Sequence, residues 1–484
     1  MGIKSDIGVI GLAVMGENLI LNFNDHGYKV SCFNRTPSKV DEFMSNEAKG
    51  TKVTGYHTLK EFVDSLALPR KILLMVKAGD AVDSFIGKLT PLLQKGDIII
   101  DGGNSFYKDT QRRLEELESK GLYFLGCGIS GGEDGARHGP SMMPGGSIQA
   151  WNHVKEMLQT ISAKTPKGDP CCDFVGEGGA GHYVKMIHNG IEYGDIQLIC
   201  GASDIMAKIL GLDEGELSEI FTKWNKGDLN SFLIEITAGV LAFKDVDGSP
   251  LVSKILDVAM QKGTGKWTAE SSLEEGVPLS MITESVYARY LSTEKNMRLN
   301  LSKIYKHHTR LCSKDRDIVI DDVADGLYAS KLISYTQGYM LMKKASDKYK
   351  WNLNYAGIAR MWMNGCIIRS AFLSDIENAF EKNAHLESLL HDEFFKKAML
   401  KCDEGWRETV SLATIHKVPC ACFSSALSFF DAITSAKLPA NLLMGIRDYF
   451  GAHTYQRVDK EESEFFHSNW TGHGGSTSSA AYNA

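Results

Sequence analysis

The sequence predicts an α/β domain, a large all-helical domain after it, and a C-terminal tail. Over residues 1–178, short apolar runs typical of strands alternate with helical segments. Over residues 179–438 the apolar spacing is almost entirely helical. Residues 439–484 hold one more helical segment and then a stretch rich in Gly and Ser, which is typical of a terminal tail. We therefore expect domain boundaries near residues 178 and 438.

Length, composition and charge exclude several classes of protein. The 484 residues exceed one ordinary core, and 43% hydrophobic with 23% charged residues are typical of a globular chain. A net charge of −7 provides no basic surface for nucleic acid. No apolar run is long enough to span a membrane, and neither a signal peptide nor a zinc-type spacing of the ten cysteines is recognisable. We expect a cytoplasmic protein that binds no nucleic acid, membrane or metal.

A glycine motif follows the first predicted strand, residues 6–10. A helix over residues 17–26 and a second strand over residues 29–33 complete a strand, turn, helix and strand within about 30 residues, which is the Rossmann-type dinucleotide unit. In that unit Gly11 permits the tight turn, Gly16 lets the helix pack on the strand, and the helix N-terminus faces a pyrophosphate. The expected contacts are Gly11, Leu12, Ala13, Val14, Met15 and Gly16.

The residues after the second strand indicate which dinucleotide is bound. NAD-binding proteins usually carry Asp or Glu here, for the ribose hydroxyls, but this chain has Asn34, Arg35 and Thr36. A guanidinium and a hydroxyl suit a 2′-phosphate, so we expect NADP. Thr36 before Pro37 is also an ordinary helix N-cap, and the two roles are compatible.

Three further predicted strands, over residues 71–76, 97–101 and 122–127, end in loops of small residues. Ligands of open parallel sheets lie at the carboxyl ends of the strands. Such loops need glycine for tight turns in any case, and Asn104 is the residue that turn chemistry explains least. The residues expected to face the cofactor or its substrate are Val76, Lys77, Ala78, Asn104, Ser130, Gly131 and Gly132.

One long helix, starting near Gly181 and running to Ala207, organises the rest of the chain. Five polar residues fall on one of its faces because they recur three or four positions apart. A salt-bridged solvent face is the ordinary explanation of such a stripe, but the apolar, glycine-rich flanks favour a buried helix with one face on a cavity. The five are Lys185, His188, Asn189, Glu192 and Tyr193.

The helical domain contains further predicted helices and a short internal match. The helices are expected over residues 214–224, 250–261, 278–292, 326–349 and 358–380. The sequence Trp-Asn-Lys-Gly at residues 224–227 returns as Trp-Met-Asn-Gly at residues 362–365, each followed by a serine. One short match suggests an internal duplication without establishing it.

A nicotinamide cofactor accepts hydride from an alcohol carbon, so a base must take the hydroxyl proton. Lys185 can do this when its amine is neutral, which costs roughly 4–5 kcal/mol at pH 7 unless the site lowers its pKa. Burial and neighbouring positive charge would lower it. A lysine can also replace zinc as the electrophile, so we expect no metal.

Seven segments resemble the decarboxylating 6-phosphogluconate dehydrogenases, in that family's order and from end to end of the chain. They are residues 11–16, 34–36, 130–137, 185–193, 261–267, 447–453 and 469–475. The resemblance implies oxidation of 6-phosphogluconate by NADP to ribulose 5-phosphate and CO2, in the oxidative pentose phosphate pathway. It implies that Lys185 removes the C3 hydroxyl proton and later polarises the carbonyl. Glu192 would then protonate C1 of the enediol.

The resemblance also implies how the substrate is held. The implied substrate contacts are Asn104, Ser130, Gly131, Gly132, His188, Asn189, Tyr193, Lys262, Arg289, Arg447 and His453. Tyr193, Lys262, Arg289 and Arg447 would meet the phosphate, with His453 nearby. The family is a homodimer whose tail crosses the partner, so Arg447 and His453 would complete the neighbouring subunit's site.

Two alternatives remain open on the sequence. A small β-hydroxyacid dehydrogenase also has a glycine loop and a Lys with Asn four residues later, matched by Lys185 and Asn189, but it lacks the long second half. An NADP-binding sensor without turnover would not need Lys185 and Glu192 together. Turnover with 6-phosphogluconate, with CO2 measured, separates the three.

Overall fold

The computed structural model describes residues 4–261, 263–306 and 311–474. The chain divides into two compact units, residues 1–426 and residues 427–484. Lys262, expected at the substrate phosphate, lies outside the described residues. The domain boundaries at residues 178 and 438 stay a prediction.

The first unit begins with a seven-stranded sheet in the order β3-β2-β1-β4-β5-β6-β7. All neighbouring strands are parallel except β6 and β7, which are antiparallel. Because β1 lies between β2 and β4, the strand order reverses there, which is where such sheets bind ligands. The strands are β1 (Ile7–Ile10), β2 (Val30–Phe33), β3 (Thr54–Tyr56), β4 (Lys71–Leu74), β5 (Ile98–Asp101), β6 (Tyr123–Ser130) and β7 (Ser141–Gly146).

Helices cover both faces of this sheet. Successive residues of a strand point to opposite faces, and Val9 packs in a cluster with Leu19 while Ile10 packs in another with Ile86. Burial on both faces explains why β1, residues 72–74 of β4 and residues 98–100 of β5 contain no polar side chain. The helices are α1 (Val14–Asp25), α2 (Pro37–Ser45), α3 (Leu59–Asp64), α4 (Asp80–Leu89), α5 (Tyr107–Glu118), α6 (Gly132–His138) and α7 (Ile148–Ile161).

The predicted long helix is α8, Ala180–Leu210, which packs on β6 and β7 and on another long helix, α14. The helical region is therefore built around two buried helices of 31 and 34 residues. The remaining bounds are α9 (Glu214–Trp224), α10 (Phe232–Ala242), α11 (Thr264–Glu275), α12 (Ser280–Thr293), α13 (Lys295–Ile304), α14 (Arg316–Tyr349), α15 (Tyr355–Met361), α16 (Leu373–Lys382), α17 (Glu393–Ile415), α18 (Ala421–Ile433) and α19 (Ala440–Gly451).

The prediction of a helix over residues 250–261 is wrong. Only a 3₁₀ turn, Leu251–Lys254, forms there. Ile255, Leu256 and Met260 are more than half exposed, so the apolar spacing that resembles a helix has nothing to pack against. An isolated helix of that length is marginal without tertiary packing.

The prediction of one helix over residues 358–380 is also wrong. The helix breaks between α15 and α16, where Gly365 has φ +62° and its carbonyl accepts a hydrogen bond from the N–H of Ser141. The chain then pairs Ser370 with Ser231 in an antiparallel bridge. The two matching sequence segments therefore lie next to each other, which a possible duplication alone did not specify.

The described residues contain neither a candidate membrane-spanning helix nor a candidate metal cluster. Across residues 4–261, 263–306 and 311–474, no helix is both long and apolar enough to cross a membrane. Within the same residues, no group of three or more His, Cys, Asp or Glu side chains is arranged to hold a metal ion.

Candidate active site

Four of the five polar residues on the α8 stripe are buried and Glu192 is half-buried, so the solvent-face explanation is wrong. His188 is fully buried, and Lys185, Asn189 and Tyr193 are each less than 10% exposed. The Nδ1 atom of His188 lies 3.4 Å from Nζ of Lys185 and 3.0 Å from Oδ1 of Asn189. It also lies 3.9 Å from a carboxylate oxygen of Glu192. The structure therefore brings these side chains together on one face.

Glycines let α8 approach the sheet. A Cβ on Gly128, in β6, would lie 2.3 Å from Cβ of Lys185. A Cβ on Gly181, in the first turn of α8, would lie 2.2 Å from the carbonyl oxygen of Gly126. Neither distance is sterically allowed, so the position of Lys185 beside the carboxyl end of β6 depends on glycine at both places.

The imidazole of His188 is held on its other side by two groups. Its Nε2 atom lies 3.1 Å from the hydroxyl of Ser130 and 2.8 Å from the sulfur of Cys366. Sequence reasoning missed Cys366, because a lone cysteine 178 residues away from His188 carries no spacing signal. Burial raises the pKa of Cys366 to about 12, so the group is a neutral thiol that can donate to the imidazole.

Burial shifts the pKa values of Lys185 and Glu192 in the directions that favour the neutral form of each group. Desolvation lowers the pKa of Lys185, against the attraction of the Glu192 carboxylate. Desolvation also raises the pKa of Glu192, against the charges of Lys185 and Arg289. The pKa of His188 lies well below its ordinary value, first because of burial and then because of Lys185. These two shifts favour a neutral amine and a protonated carboxyl on one helix face, the forms that an acid–base pair requires.

The glycine motif has the backbone that a dinucleotide cradle requires. Gly11 has φ +110°, and a Cβ there would lie 2.3 Å from the carbonyl oxygen of Met75. A Cβ on Gly16 would lie 2.0 Å from the carbonyl oxygen of Gly11. The N-cap of α1 is Ala13, whose side chain cannot satisfy the first N–H groups, so the helix N-terminus can receive an anion. Leu12, Val14 and Met15 complete the turn into α1.

The end of β2 lies against this cradle. The side-chain oxygen of Asn34 accepts a hydrogen bond of 3.1 Å from the N–H of Leu12, and its amide nitrogen donates to the carbonyl of Thr36. Arg35 and Thr36 are exposed. Thr36 occupies the N-cap position of α2, but its hydroxyl makes no capping hydrogen bond. The guanidinium of Arg35 and the hydroxyl of Thr36 therefore lie beside the glycine turn, with their hydrogen-bond donors exposed to solvent.

The loops after β4, β5 and β6 lie at the same edge of the sheet. Val76 and Ala78 are half-buried, while Lys77 and Asn104 are exposed. β6 extends three residues beyond its predicted end, so Ser130 is its last residue and is buried. The predicted contact residues at this edge of the sheet are Val76, Lys77, Ala78, Asn104, Ser130, Gly131 and Gly132.

The residues expected at the substrate phosphate are divided between the two units. In the first unit, the guanidinium carbon of Arg289, on α12, lies 3.5 Å from the centroid of the Tyr193 ring. In the second unit, Arg447 lies on α19, and the ring of His453 packs edge-to-face on Phe450 at 5.7 Å. Within the described part of the first unit, Arg289 and Tyr193 are therefore brought together.

A dinucleotide-type sheet edge next to a buried amine and carboxyl defines a nicotinamide-dependent dehydrogenase. A family model for the "6-phosphogluconate dehydrogenase, C-terminal domain" matches residues 181–470. A model for the "NAD binding domain of 6-phosphogluconate dehydrogenase" matches residues 6–176. The chain belongs to the 6-phosphogluconate dehydrogenase family.

Relatives of high identity agree over their whole length. The decarboxylating 6-phosphogluconate dehydrogenase of Ovis aries is 57% identical over 482 residues, covering 99% of this chain and 100% of the relative. That of Saccharomyces cerevisiae is 54% identical over 489 residues, with 99% and 100% covered. This chain is accordingly an oxidoreductase of the decarboxylating type.

A solved structure has the same fold. The 6-phosphogluconate dehydrogenase of Plasmodium falciparum superposes with a TM-score of 0.93 at 44% identity, covering 96% of this chain and 100% of that one. It was determined in its apo form, with its cofactor NADP+ and with its substrate 6-phosphogluconate.

Proposed function

We propose that this chain oxidises 6-phosphogluconate with NADP and decarboxylates the product to ribulose 5-phosphate and CO2. The observation that carries the proposal is the opposite displacement of two pKa values on one face of α8, down for Lys185 and up for Glu192. Family membership supports the substrate, and the P. falciparum structures with NADP+ and 6-phosphogluconate support the ligand pair.

Lys185 acts first as a base. Burial favours its neutral amine, which can accept the C3 hydroxyl proton of the substrate. NADP, when bound, accepts the C3 hydride. Lys185 is then an ammonium beside the new C3 carbonyl oxygen, where its positive charge stabilises the electrons that the departing carboxylate leaves behind.

Glu192 acts last, as an acid. Loss of CO2 leaves an enediol whose C1 must gain a proton. Burial raises the pKa of the Glu192 carboxyl and so favours its protonated form, which can supply that proton. The two residues lie two helical turns apart, so each reaches a different carbon of one extended substrate.

His188 orients the acid–base pair. Its neutral imidazole has an acceptor and a donor nitrogen, and both are engaged in the site: Nε2 with Ser130 and Cys366, Nδ1 with Asn189 and Lys185. With a pKa well below its ordinary value, His188 stays uncharged and leaves proton transfer to Lys185.

The cofactor would occupy the glycine cradle, with its pyrophosphate at the N-terminus of α1. Arg35 and Thr36 would bind the 2′-phosphate, because a guanidinium can give a phosphate two hydrogen bonds. The loop of residues 76–78 and Asn104 would complete the nicotinamide side. Gly131 and Gly132 permit close approach of the substrate to β6.

The phosphate of the substrate needs several cations. Arg289 and Tyr193 would bind it together with Lys262, and Arg447 and His453 would come from the second chain of a homodimer. The oxidative pentose phosphate pathway and a cytoplasmic location belong to the same proposal.

The test is a coupled assay of the purified chain. NADPH formation and CO2 release are measured with 6-phosphogluconate and with unphosphorylated hydroxyacids. We expect both products in equal amounts from 6-phosphogluconate alone. Hydride transfer without CO2 would favour a β-hydroxyacid dehydrogenase, and NADP binding without turnover would favour a sensor.

A further inference from the structure

A buried arginine joins two of the loops at the cofactor edge. Arg113, on α5, is 1% exposed, although arginine is rarely buried this far. Its Nε and Nη2 atoms donate to the two carboxylate oxygens of Asp83, at 2.8 and 3.1 Å. Nη2 also donates to the carbonyl oxygen of Gly79 at 3.2 Å. The guanidinium therefore fixes the end of the loop that follows β4.

The same guanidinium reaches the loop after β5. Its Nη1 lies 3.5 Å from Oδ2 of Asp101, which is fully buried at the end of β5. Asp101 accepts hydrogen bonds from the N–H of Gly103 at 3.1 Å and the hydroxyl of Ser105 at 2.6 Å. These two bonds are made on either side of Asn104 and set the course of its backbone. A buried carboxylate in this position needs a cation to offset the loss of its hydration.

α5 also contacts the helix that carries the acid–base pair. Three residues before Arg113, on the same face of α5, the hydroxyl of Thr110 lies 2.6 Å from Nδ1 of His182. His182 precedes Lys185 by three residues on α8. One face of α5 therefore touches both loops and α8 through buried polar groups.

We propose that Arg113, acting through Asp101, positions Asn104 and the loop of residues 76–79 for the cofactor and the substrate. The inference rests on the proposed function, in which Asn104 and this loop meet the bound molecules. Arg113 is a positioning residue, since its guanidinium is turned to Asp83, Gly79 and Asp101. The planar guanidinium suits this positioning role because one side chain can bind two carboxylates and a carbonyl in fixed directions.

The chain offers a matched control in the adjacent residue. Arg112 also donates to both oxygens of Asp83, at 3.1 Å, but its side chain is 52% exposed. Arg112→Gln therefore removes a bond to Asp83 without removing the bonds to Asp101 and Gly79. We expect Arg113→Gln to lower kcat/KM for 6-phosphogluconate and for NADP about tenfold or more, because misplaced binding groups lose rate steeply. We expect Arg112→Gln to change either value by less than about twofold.

A double-mutant cycle separates positioning from general damage. If Arg113 acts through Asn104, Arg113→Gln has an effect about threefold or more smaller in an Asn104→Ala background. Arg113→Lys should recover part of the loss. Equal effects in both backgrounds, or a folded Arg113→Gln enzyme with unchanged kinetics, would overturn the proposal. Thermal unfolding monitors the fold of each variant.

Should Arg113→Gln fail to fold, Ser105→Ala decides, because it removes one bond to Asp101 and leaves the ion pair intact. We expect it to raise KM for NADP more than it lowers kcat, and an unchanged KM would overturn the proposal. The proposed function fails separately, in the coupled assay, if the parent chain forms no NADPH and CO2 from 6-phosphogluconate. If Asn104→Ala alone leaves the kinetics unchanged, Asn104 does not meet the bound molecules and the positioning role of Arg113 is overturned.

Discussion

At the scale of single residues, the environment of α8 determines the chemistry. Lys185 and Glu192 would form an ordinary ion pair on a solvated helix, with the amine charged and the carboxyl ionised. Burial opposes both charges, and it does so more than the attraction between the two groups favours them. Burial therefore favours, for both groups, the forms that the proposed reaction needs.

The pH dependence of turnover follows from these two directions. In the proposed reaction Lys185 acts as a neutral amine, so the rate should rise with pH through its lowered pKa. Glu192 acts in that proposal as a protonated carboxyl, so the rate should fall as pH rises through its raised pKa. We expect a bell-shaped profile of kcat. Arg289→Gln removes a charge that lowers the pKa of Glu192, so the limb that Glu192 controls should move to higher pH. A limb that stays in place would argue against Glu192 as the acid.

Cofactor choice depends on the exposed residues after β2. Arg35→Ala should raise KM for NADP by about 10- to 100-fold, as loss of a hydrogen bond to a charged group predicts, with little change for NAD. Lys39→Ala is the control, because Lys39 is an exposed cation one turn further along α2. Initial rates with both cofactors measure the difference. Equal changes for NADP and NAD would remove the 2′-phosphate assignment.

At the scale of elements, the packing of α8 on β6 holds Lys185, the proposed base. Gly128→Ala would place a methyl group 2.3 Å from Cβ of Lys185. We expect α8 to shift, with a loss of about 1–3 kcal/mol in unfolding free energy and about 100-fold in kcat. Gly239→Ala on α10 is the control, because a Cβ there meets nothing within 4 Å. A Gly128→Ala enzyme with full activity would show that this contact does not set the site.

The elements also show how far the sequence could predict the molecule. Regular patterns sufficed where packing agreed with them: β1, α1 and β2 followed from the glycine motif, and α8 from its periodicity. Helix 250–261 was wrong because its apolar residues stay exposed. The antiparallel strand β7 was missed because Gly145, Gly146 and Pro144 oppose strand propensity, and contacts with α8 outweigh it. The contact between Cys366 and His188 could not be predicted from any local sequence pattern, because the two residues are 178 positions apart.

At the scale of the whole molecule, the end of the second unit is held together by hydrogen bonds to one buried carboxylate. Asp448 on α19 is fully buried and accepts hydrogen bonds from the N–H groups of Thr454 and Ser468 and from the side chains of His467 and Trp470. Burial by itself would raise its pKa, but these hydrogen bonds lower the pKa to about 2. The segment that follows α19 is therefore held by one carboxylate.

The role of this segment in a homodimer can be tested. Truncation after His467 removes Ser468 and Trp470 from Asp448 and should weaken the proposed homodimer, the activity, or both. Asp448→Asn keeps the full chain and loses the charge, so we expect a smaller effect in the same direction. Sedimentation and kcat are measured together. If both variants match the parent enzyme, the segment does not contribute to the neighbouring site.

The central claim is that one amine and one acid on α8 serve separate steps. The most direct measurement is NMR of deuterium uptake at C1 of ribulose 5-phosphate in D2O with NADPH present, since this follows the Glu192 step alone. Glu192→Gln should slow the exchange on the order of 10²- to 10⁴-fold. Lys208→Ala, an exposed cation on the same helix, should leave it unchanged. Exchange at the parental rate in Glu192→Gln would contradict the account.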